Sequence, residues 1–203
     1  MRVELPQGFR SIPREEVDFE HPTEDEELPN GTFFASVHGV EGMTAADATA
    51  YAQFFALVLQ ASPHYSEEEK GKFIPLRTPE KIIQKIGDRN WILLTIKDAS
   101  GQMLGSLEAE LIANNAGEKF GNIKWTLAHP EHRRQGVGTG LKNEFERIIR
   151  ERGCSGIITA IKDDNIASIK MNRALGVLRD DSFPRTSNGS AWYTKRFTIG
   201  NET

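Results

Sequence analysis

The residues best placed to do chemistry lie between Ala128 and Leu141, where the chain reads Ala-His-Pro-Glu-His-Arg-Arg-Gln-Gly-Val-Gly-Thr-Gly-Leu. A β-rich run leads in and an apolar helical pattern leads out. Arg133, Arg134, Gln135, Gly136, Val137, Gly138, Thr139 and Gly140 therefore form a glycine-rich turn at the start of a helix. Glycines let backbone N–H groups approach an anion closely, and a helix N-terminus adds unpaired donors and the positive end of a dipole. Binding of a pyrophosphate is the chemistry that fits. Two common nucleotide motifs do not. A Walker loop needs Gly-Lys-Ser/Thr, but Gly140 is followed by Leu141 and Lys142, and a dinucleotide fingerprint needs a third glycine where Leu141 stands. What remains is Arg-x-x-Gly-x-Gly, carried by Arg133, Gly136 and Gly138.

Other reactive side chains are fewer. Glu108 and Glu110 alternate with Leu107, Ala109 and Leu111, so the two carboxylates share one strand face. They are candidate bases, acting directly or through water, although a solvated strand face gives the same pattern. His129 and His132 flank the turn and could relay a proton or lie at the surface. Cys154 follows a helix end with no base implied nearby and reads as a small buried filler. No Cys/His spacing suggests a metal.

The Arg-x-x-Gly-x-Gly turn between a strand and a helix resembles the acetyl-CoA motif of the GNAT acetyltransferase superfamily. A second stretch, Asn165-Ile-Ala-Ser-Ile-Lys-Met-Asn172-Arg-Ala-Leu-Gly176-Val177, is similar to that family's downstream signature, with Asn172 at the usual tyrosine and Val177 at the usual phenylalanine. The resemblance covers roughly residues 32 to 199. It implies an acyltransferase that moves an acetyl group from acetyl-CoA directly to an amine, with no metal. It also implies a bulged strand ending at Trp125 to Ala128 that splays from the strand 157 to 161 and opens a cofactor slot. Backbone at Thr126, Leu127 and Ala128 would meet the acetyl and pantetheine groups, Asn165 would add its amide, and His64, Tyr65 and Phe73 would cover the acceptor groove. Some relatives carry a glutamate base at the position of Asn122, whose amide accepts no proton at neutral pH. Asn172 has no proton to give either, and would orient the thioester sulfur or a bound water.

These groups must be positioned by a regular framework. Residues 32 to 40 read as a first strand, being β-branched and aromatic. Thr44 with Asp47 makes a capping box before Tyr51, Phe54, Phe55, Val58 and Leu59, which recur at helical spacing. Ser66 with Glu69, and Thr78 with Pro79, start two further helical pieces. Trp91 to Lys97 and Met103 to Ile112 read as a hairpin across a polar turn, followed by strands at 122 to 128 and 157 to 161. Helices at about 136 to 152 and 166 to 175 end at Gly153 and Gly176, and strands close the chain at 177 to 180 and 191 to 198. The fold class expected is α/β (α+β), a GNAT-like mixed and mostly antiparallel central sheet with helices on both faces.

Composition sets the outer bounds. With 203 residues and 38% hydrophobic content the chain has enough apolar mass for one core. Glu15, Glu16, Asp18, Glu20, Glu24, Asp25, Glu26 and Glu27 cluster without a Lys or Arg among them, so residues 1–30 read as an acidic extension and 31–203 as the acyltransferase domain. The formal charge is -4 overall, and the body without that cluster is mildly basic. That suits a polyanionic substrate but falls short of nucleic-acid binding. No apolar run has the length of a signal peptide or a membrane span, and one cysteine cannot close an intramolecular disulfide, so a cytoplasmic protein is expected. Its partners would be acetyl-CoA and an amine acceptor, and the reading admits a homodimer. Two other functions stay open at this level: an acyl-CoA sensor without turnover, and a nucleic-acid-associated protein using the basic body.

Overall fold

The computed structural model describes residues 5–13, 26–27, 34–38, 43–87 and 90–198. Its framework is a nine-stranded mixed sheet. The strands are β1 (Phe9–Ser11), β2 (Glu26–Glu27), β3 (Phe34–His38), β4 (Trp91–Lys97), β5 (Met103–Asn114), β6 (Lys119–Ala128), β7 (Gly156–Ile161), β8 (Leu178–Arg179) and β9 (Ala191–Arg196). Their order is β2-β3-β4-β5-β6-β7-β9-β8, with β1 paired to β5 off this path. Every pairing is antiparallel except β6 with β7. The remaining parts of the first expected strand, 32–33 and 39–40, lie outside the described residues.

Three helices precede the hairpin: α1 (Ala45–Gln60), α2 (Glu67–Phe73) and α3 (Pro79–Ile86). Each starts where its side-chain chemistry dictates. The Thr44 hydroxyl accepts from the Asp47 N–H at 3.1 Å, and Ser66 accepts from the Glu69 N–H at 3.2 Å, each carboxylate reaching back to the cap. Thr78 caps α3 ahead of Pro79 at its first position. In α1, Tyr51, Phe55, Val58 and Leu59 are buried with Ile82 and Ile86 of α3 against Leu93, Met103 and Leu127 on one face of the sheet.

Helix α4 (Val137–Glu151) covers the other face. Val137, Leu141, Phe145, Ile148 and Ile149 pack there on Ile92, Leu94, Leu107, Leu111 and Ile123. Its axis lies close to the strands because Gly105 and Gly121 present no side chain: a Cβ at Gly121 would come within 2.5 Å of the Phe145 ring. Helix α5 (Ile166–Ala174) follows β7.

Part of the segment read as an extension joins the sheet. Phe9–Ser11 pairs with Asn114–Ile112, the end of β5 that runs past β4, and Ile12 is buried in the α4-side core. Phe9 packs edge-on against Phe120. An exposed strand end with open backbone groups recruits whatever apolar, alternating segment can reach it.

Candidate active site: the fork between β6 and β7

Strands β6 and β7 pair over only four residues, Phe120 to Ile123 against Gly156 to Thr159. Beyond Ile123 they part. The register of β6 on β5 shifts at the same place, so that Trp125 opposes Glu108 while Ile123 opposes Ala109, and Lys124 is the extra residue of a bulge. The Thr159 hydroxyl donates to the Ile123 carbonyl at 3.1 Å and closes the crotch of the fork. Past that point Lys124 to Ala128 have no pairing on the β7 side, the splayed arrangement that the GNAT resemblance implies.

At the open end β6 runs into a short 3-10 turn, Pro130–His132, and then α4. Arg134 takes a positive φ of 64° and Gly136, the N-cap residue, one of 86°. No side chain caps the helix, and the first intrahelical bond runs from Gly140 N–H to Gly136 carbonyl at 2.8 Å. Hence the N–H groups of Val137, Gly138 and Thr139 have no acceptor within the helix. Gly138 stands where close approach matters most: a Cβ there would lie 3.0 Å from Met171 Sδ and 3.9 Å from Thr126 Cγ2. Arg133, Arg134, Gln135 and Gly136 are exposed around the turn. Bare amide donors, a dipole end and flanking cations fit a bound pyrophosphate such as that of coenzyme A.

The chain matches the acetyltransferase (GNAT) family profile over residues 57–177, more than half its length. It belongs to the GNAT acetyltransferase family. Acyl transfer is the chemistry of that family. Among solved structures, the PaiA N-acetyltransferase of Thermoplasma acidophilum in complex with coenzyme A superposes with a TM-score of 0.66 at 17% identity, over 80% of this chain and 99% of its own. A GNAT-family acetyltransferase from Streptococcus pneumoniae gives 0.63 at 14% identity, over 80% and 99%. The ribosomal-protein-S18-alanine N-acetyltransferase of Escherichia coli gives 0.56 at 13%, over 83% and 97%. At such identities the likeness is one of fold.

His64, Tyr65 and Phe73, which the resemblance sets over an acceptor groove, gather around one ring on the α1–α3 face. Trp125 is the centre: its ring lies 5.4 Å from Tyr65, 5.2 Å from Phe73 and 5.2 Å from Phe55, the last two edge-on. His64 joins through its carbonyl, which accepts from Lys162 Nζ at 3.2 Å. The same ammonium pairs with Glu69 at 2.7 Å and lies 5.1 Å from the Tyr65 ring centroid. Since Lys162 follows β7 and Trp125 belongs to β6, the connection between α1 and α2 spans the mouth of the fork. Burial, with Glu69 and Asp164 nearby, pushes the Tyr65 phenol up to about 12.

Glu108 and Glu110 do share a face, but solvent does not reach it, because α1 and α3 cover it. Arg77 clamps both oxygens of Glu108 at 2.8 and 2.9 Å, and the Tyr51 hydroxyl donates to the same carboxylate. Arg77 also lies 4.7 Å over the Phe55 ring. Glu108 thereby fixes the helical cover to the sheet. Glu110 is held more lightly: Ser11 donates to it at 2.5 Å and Lys124 pairs with it at 3.1 Å. Burial lowers the Lys124 ammonium, with Glu110 acting against that shift. Asn122 faces Glu110 across the strand pair, is 1% exposed, and its Nδ2 has no hydrogen-bond partner among the described residues.

Two asparagines named from the sequence make bonds within the protein. Asn165 caps α5, its side-chain oxygen accepting from Ser168 N–H at 3.2 Å. Asn172 is fully buried, and its amide is already engaged: Nδ2 donates to the Ser168 carbonyl at 2.8 Å and Oδ1 accepts from Lys142 Nζ at 2.6 Å. An amide satisfied on both sides has nothing obvious left for a thioester. The sequence reading passed over Lys142, Lys124, Arg77 and the Trp125 ring. Lys142 carried a signal, standing next to Leu141 on the half-apolar surface of a helix and four residues after Gly138.

The His129, Glu131 and His132 ligand-type atoms come within 4.8 Å of one another, a grouping their sequence spacing did not suggest. His129 Nδ1 accepts from the Glu131 N–H at 3.4 Å and stiffens the 3-10 turn. Cys154 is buried and free, and burial raises its thiol to about 11, which makes it an inert filler. No helix among the described residues is long and apolar enough to cross a membrane.

Proposed function

We propose that this protein transfers an acetyl group from acetyl-CoA to an amine. The observation that carries the reading is the uncapped, glycine-lined N-terminus of α4 standing at the open end of the β6–β7 fork. Acetyl-CoA supplies a thioester whose carbonyl carbon is open to an amine. Val137, Gly138 and Thr139 N–H groups hold the pyrophosphate, with Arg133 and Arg134 adding charge. The unpaired backbone of Thr126, Leu127 and Ala128 receives the pantetheine arm and polarises the acyl carbonyl. Trp125, Tyr65, Phe73 and His64 line the acceptor's approach. Of the two carboxylates, Glu110 is the better base, because it faces Asn122 at the bulge and lacks the bidentate clamp that Arg77 puts on Glu108. It takes the amine's proton through a water.

The free, buried Cys154 fits a reducing cytoplasm. The acceptor's class is open: structures of similar fold include a ribosomal-protein-S18-alanine N-acetyltransferase and an aminoglycoside acetyltransferase in complex with sisomicin. Asn122 at the position of a base favours the alternative of an acyl-CoA sensor. Thiol release from acetyl-CoA, measured against a panel of polyamines, aminoglycosides, amino acids and peptides, separates the two. Turnover with any amine supports the transferase, and tight binding with no turnover across the panel supports the sensor.

A further inference from the structure

Lys142 is a buried ionisable group beside the fork that the reaction proposed above leaves unused. It is 3% exposed, and its ammonium donates at 2.6 Å to Asn172, a neutral acceptor. Residues four apart share a helix face, so Lys142 lies one turn behind Gly138 on the side that meets Met171 of α5 and Thr126 of β6. That side borders the fork. A buried amine without a counter-charge costs stability, and packing alone would be served better by leucine or methionine.

The charged groups around it are otherwise committed. On α4, Glu146 lies one turn further along and is bound to Lys195 of β9 at 2.7 Å and to Arg150 at 2.8 Å. On α5, Asn172 and Ser168 are neutral, while Lys170 and Arg173 are exposed. On β6 and β7, Thr126 and Thr159 are neutral. Lys124, Glu108 and Glu110 lie on the opposite face of the sheet under α1 and α3, as does Lys97 of β4, which pairs with Asp47. Burial alone acts on the Lys142 ammonium and brings it down to about 7.

We propose that Lys142 is the proton donor to the departing thiolate of coenzyme A, held in position by Asn172. The inference rests on the transferase reading above. In the step, the amine nitrogen forms a bond to the acetyl carbon and the carbon–sulfur bond breaks, its electron pair going to sulfur. The thiolate takes a proton from the Lys142 ammonium. The proton shed by the amine passes to Glu110 and water, and Lys142 regains one from water after the products leave. An acid that titrates near the working pH is matched to this task, since a free thiol titrates at about 8.5.

The test uses the full chain, wild type and three variants: Lys142→Met, Lys142→Arg and Asn172→Ala. Acetyl-CoA affinity is measured by calorimetry, kcat is followed from pH 6 to 10, and Lys142 is titrated in the ligand-free protein by NMR of its side chain. The expected results are a Lys142 midpoint near 7 and a wild-type kcat that falls above that pH. Lys142→Met and Lys142→Arg lose about a hundredfold in kcat below pH 7 together with the high-pH limb. They bind acetyl-CoA within about threefold of wild type. Should Lys142→Met fail to fold, Asn172→Ala still decides: losing its acceptor disfavours the ammonium and moves the limb to lower pH. A Lys142 midpoint near that of free lysine, or a Lys142→Met or Asn172→Ala protein with the wild-type profile, overturns the assignment. Wild type that does not bind acetyl-CoA overturns the transferase reading itself, and this assignment with it.

Discussion

On the α4 side of the fork the groups offered to a ligand are backbone N–H donors of one continuous turn, whereas on the α1–α3 side they are side chains gathered from separate segments. Gly136 allows the positive φ of the turn and Gly138 leaves its backbone bare beside Met171, and both are neighbours in sequence as in space. The wall on the α1–α3 side, which we propose receives the acceptor, instead joins Tyr51 to Glu108, Arg77 to Glu108 and Lys162 to Glu69, across 57, 31 and 93 residues of chain. A backbone cradle recognises the part of a substrate that is always the same. A side-chain wall can be rebuilt residue by residue, so one fold can serve different chemistries.

If the acceptor wall depends on its buried ion pair, removing the cation has the largest effect on the whole protein. Arg77→Met leaves Glu108 buried without its clamp and is expected to cost about 3–5 kcal/mol of stability, read by urea or thermal unfolding. Glu108→Gln, which keeps the shape and removes the charge, costs less. A loss under about 1 kcal/mol for Arg77→Met would mean that the helical cover is held by apolar packing alone.

The N-terminal strand sharpens the same contrast. Ile12, just past β1, is buried in the α4-side core, while Ser11 reaches Glu110 on the α1–α3 face, so the segment ties the two faces together. Ile12→Ala is expected to cost about 2–5 kcal/mol, with acetyl-CoA affinity unchanged in the folded fraction. Unfolding curves and calorimetry on one sample check both halves.

Lys142 is the exception on the backbone-built side, and its effect depends on pH. Its folded value is lowered to about 7, so between there and about 10.5 the unfolded chain holds more protons than the native protein. Stability must then rise with pH across that window, by at most about 1.4 kcal/mol per pH unit, the burial penalty being complete below it and gone above it. Lys142→Met lacks this rise. Denaturant midpoints from pH 6 to 10 give the comparison directly.

A smaller and more local change is expected at the aromatic mouth. Tyr65→Ala opens the contact with Trp125 and should raise the acceptor KM about tenfold, with the dissociation constant of acetyl-CoA left alone. Equal effects on both substrates would erase the distinction between the two walls.

This division also explains what could be read before any coordinates. The capping pairs Thr44–Asp47 and Ser66–Glu69 and the Thr78-Pro79 start each open the helix their sequence implies, because a cap is a contact over three residues. The glycine-rich turn into α4 was legible for the same reason, whereas the bulge in β6 followed only from the resemblance to the GNAT superfamily. Glu108 and Glu110 were legible only as a pair on one face: whether that face is wet depends on Tyr51 and Arg77, which no local pattern connects to them. Phe9–Ser11 was read as part of an arm because the acidic cluster and the scarcity of aliphatics set the character of residues 1–30. It takes the free end of β5 to make them a strand. Asn172 stood out in its motif, yet its partner Lys142 stands 30 residues away on another helix.

The account turns on acetyl-CoA seating at the α4 N-terminus, and calorimetric titration of wild type, Tyr65→Ala and Gly138→Asp tests that most directly. Gly138→Asp puts bulk against Met171 and a negative charge among the amide donors. It is expected to weaken acetyl-CoA by at least about a hundredfold, the loss of charge-assisted hydrogen bonds worth roughly 1.5–3 kcal/mol each, while its melting curve stays near wild type. Tyr65→Ala should bind as wild type does. A folded Gly138→Asp protein that binds acetyl-CoA with wild-type affinity would contradict the placement of the donor site.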